Sequence, residues 1–359
     1  MKIDGESNNY WRRISVGCTI KTTVYLLILA FIFFALLWNR NKYTNSSESL
    51  LHGNRRIHQR TSALPLNFFD PKHQDYQRLV DLNDFYFTII DPQACNATVF
   101  LLVLVSSAPN HLHHRNIIRT TWGQQRIELK IFFVFGRVHD KNLQKDIEKE
   151  SDGYGDVIQG NFLDTYRNLT YKTMTAFKFV LYHCNKASYV LKIDDDAFVN
   201  MPLLLNFLKN DLSANGTDNL FLCNVKTGSM VNRDVHSKWY ISEKELSNDY
   251  FPSYCSGWYT LLSPDVIFRL YATTQKLKYI SVEDAFIYGI ARQKANITQK
   301  DFTRFTLAYR KEELLFNGTY DSQPLLFGAP NMSPELIKKF WLYFRNMFVL
   351  RSLGAFSKK

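Results

Sequence analysis

The chain of 359 residues carries a formal net charge of +11, yet it has no compact basic stripe with interleaved aromatics. Its Lys and Arg residues are dispersed, which sets nucleic acid aside as a partner. No Gly-x-Gly-x-x-Gly follows the first apolar strand, and this disfavours a dinucleotide-binding fold. Charge is missing altogether between Thr22 and Trp38. That run is near the lower limit of about 17 residues for a spanning helix, with Tyr25 and Trp38 as interfacial anchors. Also missing is a small-residue cleavage site after it, since Trp38-Asn39-Arg40-Asn41-Lys42 offers none. A retained membrane anchor is therefore expected rather than a cleaved signal peptide.

The anchor divides the chain. Residues 1–21 read as a cytosolic tail, 22–38 as the anchor, 39–91 as a polar, basic stem, and 92–359 as the folded domain. Within the stem, Phe85 to Ile90 is apolar enough to pack on that domain. Asn-x-Ser/Thr sequons stand at Asn45, Asn96, Asn168, Asn215, Asn296, Asn317 and Asn331, all after the anchor. They favour a luminal C-terminal portion. Of the five cysteines only Cys18 precedes the anchor, and Cys95, Cys184, Cys223 and Cys255 form an even set suited to an oxidising compartment.

With 46% apolar residues there is material for a sizeable core. Val99–Val105, Ile131–Phe135 and Asp156–Ile158 read as strands, and Lys141–Ser151 and Leu169–His183 as helices. A further strand, Ser188–Ile193, ends in Asp194-Asp195-Asp196. This alternation predicts an α/β domain with a single doubly wound, mostly parallel sheet. Ligands bind at the carboxyl ends of strands in such sheets, which is where the acidic triplet falls. Three adjacent anions call for a cation, and oxygen ligands suit Mn²⁺ or Mg²⁺. Cys95 and Cys184 each precede a strand of the expected sheet, so both are placed at the edge opposite the site. This favours the pairs Cys95–Cys184 and Cys223–Cys255.

Arg115, Ile118, Arg119 and Trp122 recur at helical spacing, so two guanidiniums share one face. The stretch from Lys238-Trp239-Tyr240 to Tyr254, Gly257 and Trp258 is polar-aromatic. It suits stacking on sugar rings, and an aromatic core patch explains it equally well. Glu283-Asp284, set among apolar residues, is a second acidic pair and the natural source of a general base. Ser333-Pro334-Glu335 starts a helix with Leu336, Ile337, Phe340, Trp341, Phe344 and Phe348 on its apolar side. Core packing is expected there, with a membrane-facing role left open by Lys338, Lys339, Arg345 and Arg351.

Five motifs occur in order: Arg115-x-x-Ile118-Arg119-x-Thr121-Trp122, Phe162-x-Asp164-Thr165-Tyr166-x-Asn168-Leu169-Thr170-x-Lys172, Lys192-x-Asp194-Asp195-Asp196, Tyr254-Cys255-Ser256-Gly257 and Glu283-Asp284. Together they resemble the Golgi β1,3-galactosyltransferase family (glycosyltransferase family 31), which includes β1,3-N-acetylglucosaminyltransferases, over roughly Cys95 to Ile297. The resemblance implies a GT-A fold, a type II Golgi membrane protein, a UDP-sugar donor, Mn²⁺ and inversion to a β1,3 linkage. Galactose is the favoured sugar and N-acetylglucosamine the alternative, on a glycolipid or glycoprotein glycan. A homodimer and a non-catalytic, glycan-binding member of the fold are left open.

By that resemblance Asp194 and Asp196 hold the metal, Asp284 is the base, and Glu283 orients it or contacts the acceptor. Arg115, Arg119, Asp164, Lys172, Asp194 and Asp195 are assigned to the donor, a structural ion pair being the rival role for Arg115, Arg119 and Lys172. Trp239, Tyr254, Gly257 and Trp258 are assigned to the acceptor. Two departures stand out: Tyr259 replaces a usual glycine, adding a ring near the expected sugar site, and Ala285 replaces a usual valine.

Overall fold

A computed structural model describes residues 74–95, 97–307, 311–317 and 324–352. The charge-free segment Thr22–Trp38 and the sequons Asn45 and Asn96 lie outside the described residues. No helix among the described residues is long and apolar enough to cross a membrane.

The apolar runs become one eight-stranded sheet: β1 (Phe87–Ile89), β2 (Leu101–Ser106), β3 (Leu129–Arg137), β4 (Val157–Leu163), β5 (Tyr189–Asp194), β6 (Phe221–Lys226), β7 (Tyr254–Leu262) and β8 (Lys300–Asp301). Their order is β1-β4-β3-β2-β5-β7-β6-β8. β4, β3, β2 and β5 run parallel, whereas β1 against β4, β5 against β7 and β6 against β7 are antiparallel. The sheet is thus mixed rather than mostly parallel. The sequence signal was strongest for the central strands, which are buried on both faces and read as unbroken apolar runs. The folded unit also starts before residue 92, because β1 lies inside the expected stem and pairs with β4.

Helices α1 (Leu112–Thr120) and α2 (Lys141–Tyr154) connect the parallel strands, and α3 (Leu169–His183) returns the chain to β5. Asp140 caps α2 by accepting from the amides of Asn142 and Leu143, and Gly155, at φ 65°, ends it in the left-handed region. From Thr170 to Tyr182 every residue of α3 but Tyr171 is buried. It lies on the sheet face formed by Leu102, Leu104, Phe132 and Val134, with α4 (Pro264–Thr274) packed beside it. The opposite face of β3 meets α1, where Arg115 lies over Phe135 and Arg119 over Phe133. α5 (Pro334–Ser352) packs on α1 and buries Ile337 and Phe340, with Phe344 stacked on Phe198. Ile337, Phe340 and Phe344 of this helix thus pack on the domain, while Leu336 and Trp341 stay partly exposed.

The disulfides are Cys95–Cys184 and Cys223–Cys255. The first ties the segments ahead of β2 and β5, and the second joins β6 to β7.

Candidate active site

From β2 the chain winds outward through β3 and β4, then crosses back to β5 on the other side of β2. The strand order therefore reverses between β2 and β5, the position at which sheets of this kind form a crevice beyond their carboxyl ends. Ser106 of β2 pairs with Asp194 of β5, and the Asp195 amide donates to Ser106 O at 3.1 Å. The acidic triplet is thereby fixed at the lip of this crevice.

Its three carboxylates differ. Asp195 is buried and accepts from Ser107 Oγ at 2.6 Å and from His111 Nδ1 at 3.0 Å. It orients His111, whose pKa is raised chiefly by that bond. The imidazole of His111 stacks on His114 with centroids 4.5 Å apart. Asp194 keeps 37% of its side chain exposed while meeting Lys192 Nζ at 3.0 Å. Asp196 is also partly open, and burial, with Asp194 and Asp195 adding to it, pushes its carboxyl up to about 6. No basic side chain is paired with Asp196 among the described residues.

Asp194 and Asp196 are neighbouring acids with one ammonium between them, so a carboxylate set short of positive charge remains that suits a hard divalent cation. Among the described residues no group of three or more His, Cys, Asp or Glu side chains is arranged around one point. A cation held by Asp194 and Asp196 would take its other ligands from outside this pair.

The second acidic pair enters from the far side. Glu283 and Asp284 open a short helical turn (Glu283–Ala285) that widens into a π-turn over Phe286–Ala291, a distortion frequent at functional sites. Glu283 is buried, accepts from Thr173 Oγ1 at 2.6 Å and lies 3.8 Å from Lys192 Nζ. Burial drives its carboxyl well above the usual range, opposed by Lys192 and reinforced by Asp284. Asp284 is more open, and it fills the space a side chain at Gly257 would need. A Cβ there would fall 2.0 Å from Asp284 Oδ1 and 3.0 Å from Glu283 Oε2. β7 bulges at this point, since Cys223 pairs with Thr260 but Asn224 already pairs with Ser256. The bulge, Gly257 to Tyr259, aims the Gly257 carbonyl at Lys192 Nζ, 2.6 Å away. Burial would lower the Lys192 pKa, but Asp194 and Glu283 outweigh it and hold the ammonium charged.

Several expected donor contacts are turned elsewhere. Arg115 is buried, and its five N–H groups go to Glu150, Ser107, Ala108 O and Pro109 O, leaving none for a phosphate. Arg119 bonds to Asp156, Asn116 and Glu150. Removing Glu150 would leave the buried Arg115 without a carboxylate, a loss of about 3–5 kcal/mol for a broken buried pair, while Arg119 would keep Asp156. Lys172 donates to Asp164 at 3.0 Å and to Ser107 O at 2.8 Å, and Asp164 accepts from the Gly136 amide at 2.7 Å. These residues tie the ends of β2, β3 and β4 together and form the wall of the crevice.

Of the residues assigned to the acceptor, Trp239 is 51% exposed, while Trp258 is buried edge-on to Tyr259. Tyr254 is half-buried against Phe251, and Gly257 serves the carboxylates as described. Tyr259 does not reach a sugar site: it is fully buried and stacks on Phe327 at 4.2 Å. Tyr166 is 44% exposed, burial and the charge of Asp284 raise the pKa of its hydroxyl, and Lys238 Nζ lies over its ring and that of Trp239. Asn168, one of the seven sequons, uses its amide to donate to Leu163 O at 2.8 Å, whereas Asn215, Asn296, Asn317 and Asn331 are exposed.

The family model described as Galactosyltransferase matches residues 113–303, more than half of the chain. The chain belongs to the galactosyltransferase family. Among relatives of this galactosyltransferase-family protein, human beta-1,3-galactosyltransferase 5 is 35% identical over 226 residues, covering 62% of this chain and 72% of its own. Human UDP-GalNAc:beta-1,3-N-acetylgalactosaminyltransferase 1 is 32% identical over 295 residues, covering 79% and 82%. The structure of galactosyltransferase LgtC with donor and acceptor sugar analogs aligns with 68% of this chain and 96% of its own. At 9% identity and a TM-score of 0.35, that likeness carries no argument. As a member of this family the protein is a glycosyltransferase. The matched span holds both carboxylate sets, Lys192 and Gly257, while His111 lies just ahead of it.

Proposed function

We propose that this protein is an inverting β1,3-glycosyltransferase of GT-A architecture, moving galactose from UDP-galactose to a glycan hydroxyl on a glycolipid or glycoprotein. It is anchored in the Golgi membrane as a type II protein with this domain in the lumen. The observation that carries the reading is the pair of carboxylate sets facing one crevice: Asp194 with Asp196 at the strand ends, Glu283 with Asp284 across Gly257.

The two sets suit the two ends of a single displacement. Asp194 and Asp196 would hold a Mn²⁺ ion, which when bound neutralises the charge of the departing diphosphate. Asp284 takes the proton from the acceptor hydroxyl as its oxygen attacks the anomeric carbon. Glu283, locked by Thr173 and Lys192, keeps Asp284 aimed. Displacement from the face opposite UDP turns the α-linked donor into a β-linked product. Trp239 and Tyr166 give the acceptor sugar aromatic surface beside the base.

The two human relatives are named for transfer of galactose and of N-acetylgalactosamine, which favours a donor with an axial 4-hydroxyl. The test is UDP release by the detergent-solubilised full-length enzyme with UDP-galactose, UDP-N-acetylgalactosamine and UDP-N-acetylglucosamine. UDP-galactose is expected to be turned over fastest, dependent on acceptor and abolished by excess chelator. Preference for another donor would correct the sugar. No release from any donor would make the protein a glycan-binding member of the fold.

A further inference from the structure

Lys192 enters the reaction outlined above only as a lock on Glu283, yet it is a buried cation in contact with both carboxylate sets. Its side chain is 5% exposed and contacts Asp194 Oδ1 at 3.0 Å and Glu283 Oε1 at 3.8 Å. Its third direction is taken by Gly257 O at 2.6 Å, the residue whose missing side chain makes room for Asp284. An ammonium has three donors: here one bonds Asp194, one bonds the bulge at Gly257, and Glu283 is held by charge across 3.8 Å rather than by a hydrogen bond. A cation needed only to neutralise the core would require one carboxylate. The two it serves belong to different elements, β5 and the turn at Glu283, which the sheet itself does not join.

We propose that Lys192 is a positioning residue that fixes the spacing between the donor-side carboxylate Asp194 and the acceptor-side pair Glu283 and Asp284. This rests on the transferase reading above. Lys192 touches neither substrate. It holds the Asp194 carboxylate in one orientation and anchors Glu283 and the Gly257 bulge, so the base faces the carbon that the donor presents. Without it the donor is still bound and cleaved, but the base and the acceptor oxygen lose their register with the anomeric carbon. Water, which needs no such register, then competes better.

The experiment measures UDP released against sugar transferred by the full-length enzyme with its preferred UDP-sugar, acceptor and Mn²⁺. This ratio does not depend on the fraction of protein that is folded, so a purely structural defect leaves it unchanged. Lys192→Met, close in shape and uncharged, is expected to raise hydrolysis relative to transfer at least tenfold and to raise the Mn²⁺ needed for half-maximal rate. Because that change strands Glu283, Lys192→Met/Glu283→Gln is compared with Glu283→Gln alone, and the same rise in the ratio is expected. An unchanged ratio and metal requirement in both comparisons would overturn the proposal. Failure of both lysine variants to accumulate as folded protein would also overturn it, leaving Lys192 as a core ion pair. Wild-type enzyme that releases no UDP would refute the transferase reading itself, a separate outcome.

Discussion

Thr173 and Lys192 hold the Glu283 carboxylate inside the core, while Asp284 beside it reaches the crevice over Gly257. Adjacent acids therefore have different work. Asp284→Asn keeps the shape and removes the basicity, so turnover should fall about 10²–10⁴-fold with UDP affinity intact by calorimetry. Glu283→Gln should raise the acceptor KM more than it lowers kcat, and the reverse pattern would exchange their roles. Away from the site, Lys178 donates to Asp75 O and Tyr76 O, and burial lowers its pKa from 10.5 to about 7. In the window between these values the unfolded chain binds the extra proton, so stability rises with pH there and the burial cost is fully present below it. The melting temperature of the wild type should accordingly climb between pH 7 and 9 relative to Lys178→Met. A constant difference between the two proteins would show that Lys178 is not titrating in that range. The sequence marks which residues are charged but not what they meet in the fold. Arg115 and Arg119 share a helix face as their spacing implies, yet Glu150, their partner, arrives from another helix. Lys192, two positions before Asp194, gave no local sign that a bulge and a distant carboxylate would converge on it.

The element that decides the site is the bulge of β7. Alternation and apolar content announced the central strands β2, β3 and β5, and the whole of α3 from Leu169 to His183. They could not announce three residues of β7 left without partners in β6, because a bulge is a matter of pairing register between strands far apart in sequence. For the same reason Tyr259, expected near the sugar, is packed on Phe327. β1 lies in the Phe85–Ile90 stretch expected to pack on the domain, but three residues at a sheet edge have too little periodicity to show a strand. The bulge makes its own prediction. Gly257→Ala would set a methyl 2.0 Å from Asp284 Oδ1, so the carboxylate must move. Transfer should fall at least about 100-fold, as expected for a displaced base, while the melting temperature stays within a few degrees. An active Gly257→Ala enzyme would mean that Asp284 does not act from this position.

At the scale of the molecule, one mixed sheet with helices on both faces puts the strand-order reversal between β2 and β5 and loads the acidic triplet there. The placement of Asp194 at a strand end was legible in the sequence, as was the family in its five motifs. The antiparallel half was not, and it is this half that brings Glu283 and Asp284 to face the triplet. The arrangement is complete only if those two acidic sets act on opposite sides of one anomeric carbon. The most direct test is the stereochemistry of the product, read from the anomeric proton coupling in NMR after full-length enzyme, UDP-galactose, Mn²⁺ and a galactose-accepting glycan are combined. The account predicts a β-linked galactose, formed by the wild type and lost in Asp284→Asn. An α-linked product, or a β-linked one formed undiminished by Asp284→Asn, would contradict it.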